Sequence, residues 1–263
     1  IIDAHVHFGF GEPLTEYSTE TTYAAQGGVT TILAFFLNNE PYSEIFEEKK
    51  REAEARAFVD FGFHFSTAKE VHCEEIPEYV EKLGITSFKY FMNFKGEEGR
   101  YLGLDGTDDG FFLNLLETTS EFEGVVVVAH PENIEIVNRI RTQFQEQGRD
   151  TLRDFCESKS DFTEAENIMR GMAFAEYAGA NIYFPHVSCE RGLDEVRRYR
   201  ERYAPVFVET CPHYLTHNMT MDLGSLGKTN PPLRTEDDIE ALWLAIADGT
   251  VDVVASDHVP RKR

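Results

Sequence analysis

The chain has 263 residues and is strongly acidic, with 47 aspartates and glutamates against 25 lysines and arginines and a formal net charge of -22. An acidic surface repels phosphate groups and anionic lipid headgroups, which argues against nucleic-acid binding and against a basic membrane anchor. No apolar run approaches the length of a membrane-spanning helix. The four cysteines form no Cys-x-x-Cys pair, so we expect a reducing, cytoplasmic environment and core or neutral positions for all four.

Strand-like and helix-like segments alternate along the chain, as judged from hydrophobic periodicity, β-branched content and glycine or proline stops. The predicted strands are 1–7, 29–36, 61–67, 86–91, 125–129, 181–185, 206–209 and 251–255. The helices predicted between them are 18–26, 43–60, 76–83, 109–122, 134–147, 163–178, 193–203 and 236–247, the last capped by Thr235. A long irregular segment, 211–234, precedes the last helix, and loops of this length usually carry function.

Strands that alternate with helices in this way form the pattern of an α/β fold, the (β/α)8 TIM barrel. A doubly wound open sheet is the alternative, but no Gly-x-Gly-x-x-Gly or Walker-type loop follows any strand to favour it. The helix expected after the eighth strand is missing, and the chain starts at Ile1 inside a strand signal. We therefore expect residues 1–263 to be one barrel, excised from a longer chain.

Side chains with metal-ligand or acid–base chemistry recur at the carboxyl ends of the predicted strands, where the reactive groups of α/β barrels gather. His5 and His7 project from the same face of the first strand, because residues two apart on a strand point the same way. The full set is His5, His7, Lys89, His130, His186 and Asp257. Each residue alone has a structural explanation, such as a lysine–carboxylate pair or a helix cap, but their shared position favours a metal site.

Four histidines and an aspartate are ligands that suit Zn²⁺ and the neighbouring transition metals. Two ions this close need a bridging anion, and a neutral buried lysine can react with CO₂ to form a carbamate. Lys89 is the only lysine at a predicted strand end and is therefore the candidate. A water shared by the ions loses its proton near neutral pH and becomes a nucleophile. Asp257 would accept that proton and pass it to a leaving nitrogen, which makes it the candidate catalytic residue.

A series of motifs runs in order along nearly the whole chain. They are Asp-Ala-His-Val-His at 3–7, Ser-Phe-Lys-Tyr-Phe-Met at 87–92, Ala-His-Pro-Glu-Asn at 129–133, His-Val-Ser at 186–188, Glu-Thr-Cys-Pro-His-Tyr-Leu at 209–215, Asn-Pro-Pro-Leu-Arg at 230–234 and Ser-Asp-His-Val-Pro at 256–260. No single motif is specific, but the set resembles the cyclic amidohydrolases, which include dihydropyrimidinase, hydantoinase, allantoinase and dihydroorotase.

The resemblance implies a binuclear metal site and hydrolysis of a non-peptide C–N bond in a cyclic amide, imide or ureide. It implies one ion held by His5, His7, Lys89 and Asp257 and another held by carboxylated Lys89, His130 and His186. Zinc is the expected metal, with manganese, cobalt or iron as alternatives. The resemblance also implies a flanking β-sandwich, absent from this segment together with the last helix, and a homotetramer or dimer.

Two departures from the family pattern bear on the substrate. Members that act on dihydropyrimidines and hydantoins carry a tyrosine five residues after the bridging lysine, where this chain has Phe94, which donates no hydrogen bond. Asn93, His213 or a second metal contact would then polarise the substrate carbonyl. Dihydroorotases carry an arginine two residues after the second histidine of His-x-His, where this chain has Gly9. Arg261 is a weak substitute for that charge.

The candidate substrate contacts are Asn230, His213 and Phe94. Asn230 belongs to a dihydroorotase-like motif, whereas residues 211–215 are allantoinase-like, so no single motif decides the substrate. The expected activity is that of a hydantoinase or dihydropyrimidinase, with allantoinase or dihydroorotase activity as alternatives. A mononuclear deaminase and a non-catalytic scaffold of the same fold are the further alternatives.

The remaining histidines are expected to be structural. His64 is predicted to be a packed or edge residue of a strand, His72 and His217 to lie in surface loops, and His258 to hydrogen-bond a neighbour rather than bind a metal.

Overall fold

The computed structural model describes residues 1–8, 13–95, 99–100, 104, 107–203 and 205–260. Eight parallel strands pair in sequence order: β1 Ile2–Val6, β2 Thr31–Phe36, β3 Asp60–Ser66, β4 Ser87–Phe91, β5 Val126–His130, β6 Asn181–Phe184, β7 Val206–Thr210 and β8 Val253–Val254. Val6 on β1 forms a parallel bridge with His258, four residues beyond the end of β8, so the sheet closes on itself. The predicted TIM barrel is thereby confirmed.

Helices follow the strands around the outside of the barrel. They are α1 Pro13–Gln26, α2 Tyr42–Glu54, α3 Glu70–Glu74, α4 Ile76–Glu81, α5 Asp109–Ser120, α6 Ile134–Glu146, α7 Leu152–Ser158, α8 Asp161–Ala178, α9 Glu190–Arg200 and α10 Glu236–Asp248, with a 3-10 turn at Gly224–Gly227. Within the described ranges, no helix is both long enough and apolar enough to cross a membrane.

The helices depart from the sequence prediction at several places. Helix α1 begins at Pro13, five residues before the predicted start, and α9 spans Glu190–Arg200 instead of 193–203. The helix predicted at 43–60 ends at Glu54, because the chain turns there and the Phe58 backbone N–H donates to Thr21 Oγ1 at 3.0 Å, two residues before β3 begins. Helices α3 and α7 are absent from the prediction because each is too short to show a helical period. Only α7 carries a start signal in the sequence, the capping box that Thr151 forms with Asp154.

Two predicted helix boundaries are confirmed together with their causes. Helix α8 ends at Gly179, whose φ of 71° is a left-handed conformation that glycine adopts without strain. Helix α10 begins after Thr235, whose Oγ1 accepts a hydrogen bond from the backbone N–H of Asp238 at 3.2 Å. Both boundaries depend on local chemistry, which is why the sequence alone reveals them.

Strand alternation decides which side chains reach the inside of the barrel. Phe65 on β3 and Phe88 on β4 point outward, and both pack against Tyr79 of α4. Their chain neighbours His64 and Lys89 therefore point inward. The main hydrophobic core lies in the outer layer, between strands and helices, and all four cysteines are buried, as predicted for core positions.

Candidate metal centre

The imidazoles of His5 and His7 and the carboxylate of Asp257 converge near the ends of β1 and β8. His5 Nε2 lies 3.1 Å from His7 Nε2 and 3.0 Å from Asp257 Oδ1, and His7 Nε2 lies 3.1 Å from the same oxygen. A point just off the plane of three atoms with this spacing lies about 2 Å from each of them. That distance is the bond length of zinc to nitrogen and oxygen ligands. The three donor atoms therefore fit one metal ion.

Glu209, near the end of β7, fixes the orientation of His5. Its Oε1 accepts a hydrogen bond from His5 Nδ1 at 2.7 Å and another from the His186 backbone N–H at 3.1 Å. Its Oε2 accepts the Tyr183 hydroxyl at 2.6 Å. A proton on His5 Nδ1 leaves Nε2 with a lone pair facing His7, and this is the tautomer that a metal ligand needs.

The buried charges of this group set one another's protonation. Burial lowers the pKa of His5, but the carboxylates of Glu209 and Asp257 outweigh it and raise that pKa to about 9. Burial also lowers the pKa of His7, to about 4. Burial disfavours the Asp257 carboxylate, but His5 and His7 reverse this and hold its pKa well below the usual range. Asp257 is therefore an anion and His7 a neutral imidazole at neutral pH, the forms that bind cations.

His130 and His186, near the ends of β5 and β6, form a second pair beside the first. Their ring centroids are 4.5 Å apart, and the His186 centroid lies 5.5 Å from that of His5. Burial lowers the pKa of both imidazoles. His130 Nε2 is bonded to Glu132 Oε2 at 2.7 Å, whereas His186 Nδ1 is buried without a hydrogen-bond partner among the described residues. An orphaned ring nitrogen beside another imidazole fits a metal ligand.

Lys89 on β4 is 1% exposed and lies close to both groups. Its Nζ is 4.8 Å from the centroid of the Phe35 ring, which in turn lies 4.5 Å from the His5 ring. Its positive charge repels the protonated forms of His7 and His130 and so helps to lower the pKa values of both. Burial, opposed mainly by Asp257, lowers the pKa of Lys89 to about 8. Slightly above neutral pH, Lys89 is therefore a neutral amine in a substantial fraction of the molecules. The neutral amine is the form that reacts with CO₂.

Two of the six candidate ligands have a strained backbone. Among the described non-glycine residues, positive φ angles occur at His186, with 44°, and at Asp257, with 52°. Left-handed conformations are unfavourable for residues that carry a Cβ and persist where the surroundings enforce them, often at functional sites. The strain therefore coincides with the residues that the sequence assigns to the metal site.

The three predicted substrate contacts have different surroundings. Phe94 stacks on His130, with ring centroids 6.3 Å apart and an angle of 22° between the planes. His213 is half-buried, its pKa is lowered by burial, and its ring lies 4.1 Å from that of Tyr214. Asn230 is exposed and precedes a cis proline. Asn93, a suggested substitute for the missing tyrosine, is 3% exposed, and its Oδ1 has no partner within the described part of the chain.

Other sequence expectations have mixed outcomes. His258 hydrogen-bonds Glu20 at 2.8 Å, as predicted for a residue that is not a ligand. The prediction that His72 lies in a surface loop is wrong, because α3 buries it against the Tyr42 ring with a centroid distance of 4.7 Å. His64 packs inside the barrel as predicted, with Nε2 donating to the Ala4 carbonyl at 3.0 Å. His217 is partly exposed and hydrogen-bonds Thr216. Gly9 and Arg261, which bear on a carboxylate-binding role, lie outside the described residues.

No protein-family model matches the chain. The chain is 30% identical over 269 residues to an allantoinase of Salmonella gallinarum, which covers 99% of this chain and 58% of the relative. It is 32% identical over 274 residues to a D-hydantoinase of Geobacillus stearothermophilus, which covers 98% of this chain and 56% of the relative. The chain thus spans a little over half the length of these relatives.

Solved structures of the same group share the barrel. A D-hydantoinase from Bacillus sp. AR9 superposes with a TM-score of 0.86 at 28% identity, over 99% of this chain and 58% of the other. A dihydropyrimidinase from Brevibacillus agri superposes with a TM-score of 0.85 at 29% identity, again over 99% and 58%. The resemblance predicted from the motifs is confirmed over nearly the whole chain.

Proposed function

We propose that this chain, which belongs to the cyclic amidohydrolases by sequence and fold, is the catalytic barrel of a metal-dependent hydrolase that opens a cyclic amide, imide or ureide. The observation that carries the proposal is the convergence of His5, His7 and Asp257 on one point, beside a second imidazole pair and a buried lysine. Acidic and neutral ligands of this kind suit a hydrolytic metal site.

Two divalent ions are proposed, with zinc as the leading choice and manganese, cobalt or iron as alternatives. The first would be held by His5, His7 and Asp257, the second by His130 and His186, and Lys89 would bridge them as a carbamate. When bound, such ions polarise the scissile carbonyl and lower the pKa of water to near neutrality, which supplies the nucleophile.

Asp257 is proposed to move the proton. Its Oδ1 faces the two imidazoles, and its other carboxylate oxygen would accept the proton of the attacking water. As the C–N bond breaks, Asp257 gives that proton to the ring nitrogen, which leaves as a neutral amine or amide, and the other proton of the water is released to solvent as the carbonyl becomes a carboxylate. Its lowered pKa keeps it an anion at the start of each cycle.

Lys89 is proposed to react with CO₂ before the ions are bound. The neutral amine attacks the carbon of CO₂, a new N–C bond forms, and one proton is released to solvent. Its buried position supports this step, because burial shifts the lysine toward the neutral form. The resulting anion would also remove the cost of a buried ammonium next to imidazoles.

The substrate is proposed to be a hydantoin or dihydropyrimidine, with allantoin or dihydroorotate as the alternatives. Phe94, stacked on His130, offers an apolar face for a planar ring. Asn93 is the favoured source of the hydrogen bond to the substrate oxygen, because it is 3% exposed and lies just beyond β4, and its Nδ2 would be the donor. His213 and Asn230 belong to the loop 211–234 and are proposed to contact the ring substituent.

The wider assembly is also part of the proposal. We infer one barrel domain across 1–263, completed by a β-sandwich in the longer protein, with a homotetramer or dimer as the working unit. A reducing cytoplasm is the proposed location, because all four cysteines are unpaired.

The test is a screen of the full-length protein against hydantoins, dihydropyrimidines, allantoin, dihydroorotate and simple imides, with Zn²⁺ or Mn²⁺ supplied. Metal analysis should find about two ions per chain, and Lys89→Ala should abolish both the second ion and the activity. Wild-type ring-opening activity in Lys89→Ala would refute the two-ion proposal and favour a mononuclear site, the kind of site that the alternative deaminase would have. A full-length wild type that binds no metal and opens no ring would leave a scaffold role.

A further inference from the structure

A buried series of charged groups runs from the loop 211–234 to His130. His130 Nε2 is bonded to Glu132 Oε2 at 2.7 Å, and Glu132 Oε1 accepts a hydrogen bond from Lys159 Nζ at 2.9 Å. The carbonyl of Lys159 in turn accepts a hydrogen bond from Arg234 Nη1. Glu132 is fully buried and Lys159 is 6% exposed, so solvent screens neither charge.

This arrangement leaves His130 only one way to bind a cation. A carboxylate can only accept hydrogen bonds, so the bond to Glu132 requires the proton of His130 to sit on Nε2. The other ring nitrogen, Nδ1, then carries the lone pair. His186 lies next to His130, at a centroid distance of 4.5 Å, and its own Nδ1 is the orphaned nitrogen.

Lys159 is what allows Glu132 to remain a buried acceptor. A carboxylate without a cationic partner is costly in the interior, and the ammonium at 2.9 Å offsets that cost. Lys159 follows α7 directly, and Arg234 holds its carbonyl while also binding Glu164 Oε2 at 2.7 Å. The backbone of Lys159 is therefore fixed from the loop side, and its side chain reaches toward the site.

We propose that Lys159 is a positioning residue for the second metal site: through Glu132 it sets the tautomer and orientation of His130 and so presents Nδ1 to the ion. The inference deepens the proposed function and rests on it, because it assumes that His130 is a ligand. Partners of this kind contribute about 10–100-fold to metal affinity in other metalloproteins.

The test is a calorimetric titration of metal-free full-length protein with Zn²⁺. Elemental analysis after dialysis then counts the ions that stay bound. Lys159→Met should weaken the second ion about 10–100-fold while the first ion, at His5, His7 and Asp257, keeps its affinity. Lys159→Arg should restore the second ion, because a guanidinium still donates to Glu132. Lys82→Met is the matched control, since it removes an exposed lysine paired with Glu78 and should change neither ion.

A second variant separates a folding defect from a positioning defect. The double variant E132L/K159M has no unpaired buried charge, so its thermal unfolding should lie near that of wild type. Leucine accepts no hydrogen bond from His130 Nε2, so the tautomer of His130 is no longer fixed and the second ion should still be weakened. Two ions at wild-type affinity in Lys159→Met, or in the double variant, would overturn the inference. A wild type that binds no ions would refute the proposed function instead.

Discussion

Replacement of Arg234 by methionine should destabilise the protein by about 3–5 kcal/mol, the range for removing one partner of a buried ion pair. The guanidinium donates from Nη2 to Glu164 Oε2 at 2.7 Å and from Nε to Ser188 Oγ at 2.9 Å. Arg234 is 6% exposed and Glu164 is fully buried. In the variant, the hydrogen-bond donors that Glu164 keeps among the described residues are both on Ser188, its backbone N–H at 2.7 Å and its hydroxyl at 2.5 Å. An anion would then be left in the interior without a cation.

Guanidinium chloride unfolding, monitored by circular dichroism, measures this loss of stability. The dependence of the unfolding free energy on denaturant concentration should be the same in all variants. The matched control is Arg153→Met, which breaks the exposed Arg153–Glu157 pair on α7 and should cost less than about 0.5 kcal/mol. The double variant R234M/E164Q removes both charges and should recover part of the loss. If Arg234→Met and Arg153→Met cost the same, the argument from burial is wrong.

Three further predictions concern the site. Lys89→Met should stabilise the metal-free, bicarbonate-free protein at pH 7. This gain in stability over wild type should fade from about pH 8 to about pH 10.5, because in that range the unfolded wild-type chain still binds the proton that folded Lys89 has lost. A gain at pH 10.5 as large as that at pH 7 would contradict the prediction. Asn93→Ala should lower kcat about 100–1000-fold if its amide polarises the substrate, with Asn93→Asp equally impaired, and a fully active Asn93→Ala would exclude that role. Glu209→Leu should weaken Zn²⁺ at the His5 site about 10–100-fold after correction for the proton that competes at His5 below about pH 9, and an equal corrected affinity would show that Glu209 does not orient His5.

The positions of the candidate ligands follow from local rules, which is why the sequence reveals them. Parallel strands end on one rim of a barrel, and alternation along β1 turns His5 and His7 the same way. Lys89 is less visible, because every residue of β4 is buried and no polar–apolar alternation marks its inner face. Its inward direction becomes clear only when Phe88 is seen to pack outward against Tyr79.

The residues that hold these ligands are set by tertiary packing, and the sequence does not single them out. Glu209 and His5 are 204 positions apart, and Lys159 and Glu132 are 27 apart. Both glutamates lie in motifs that the sequence shows, 129–133 and 209–215, but with 47 acidic residues in the chain nothing in those motifs says which side chain each glutamate contacts. The burial of His72 was missed for a related reason, since it depends on the short helix α3, which has no periodic signal.

A proton and the proposed ion would compete for the same two atoms of this site. With Nδ1 of His5 donating to Glu209, the second proton of a protonated His5 sits on Nε2, facing Asp257 Oδ1 at 3.0 Å. The pKa of about 9 means that, without an ion, this proton is held through neutral pH. An ion bound to the same two atoms must displace it, so affinity at this position falls as pH drops below about 9. Glu209 therefore acts in two opposed ways: it turns Nε2 toward the ion, and it strengthens the proton that competes for the same nitrogen.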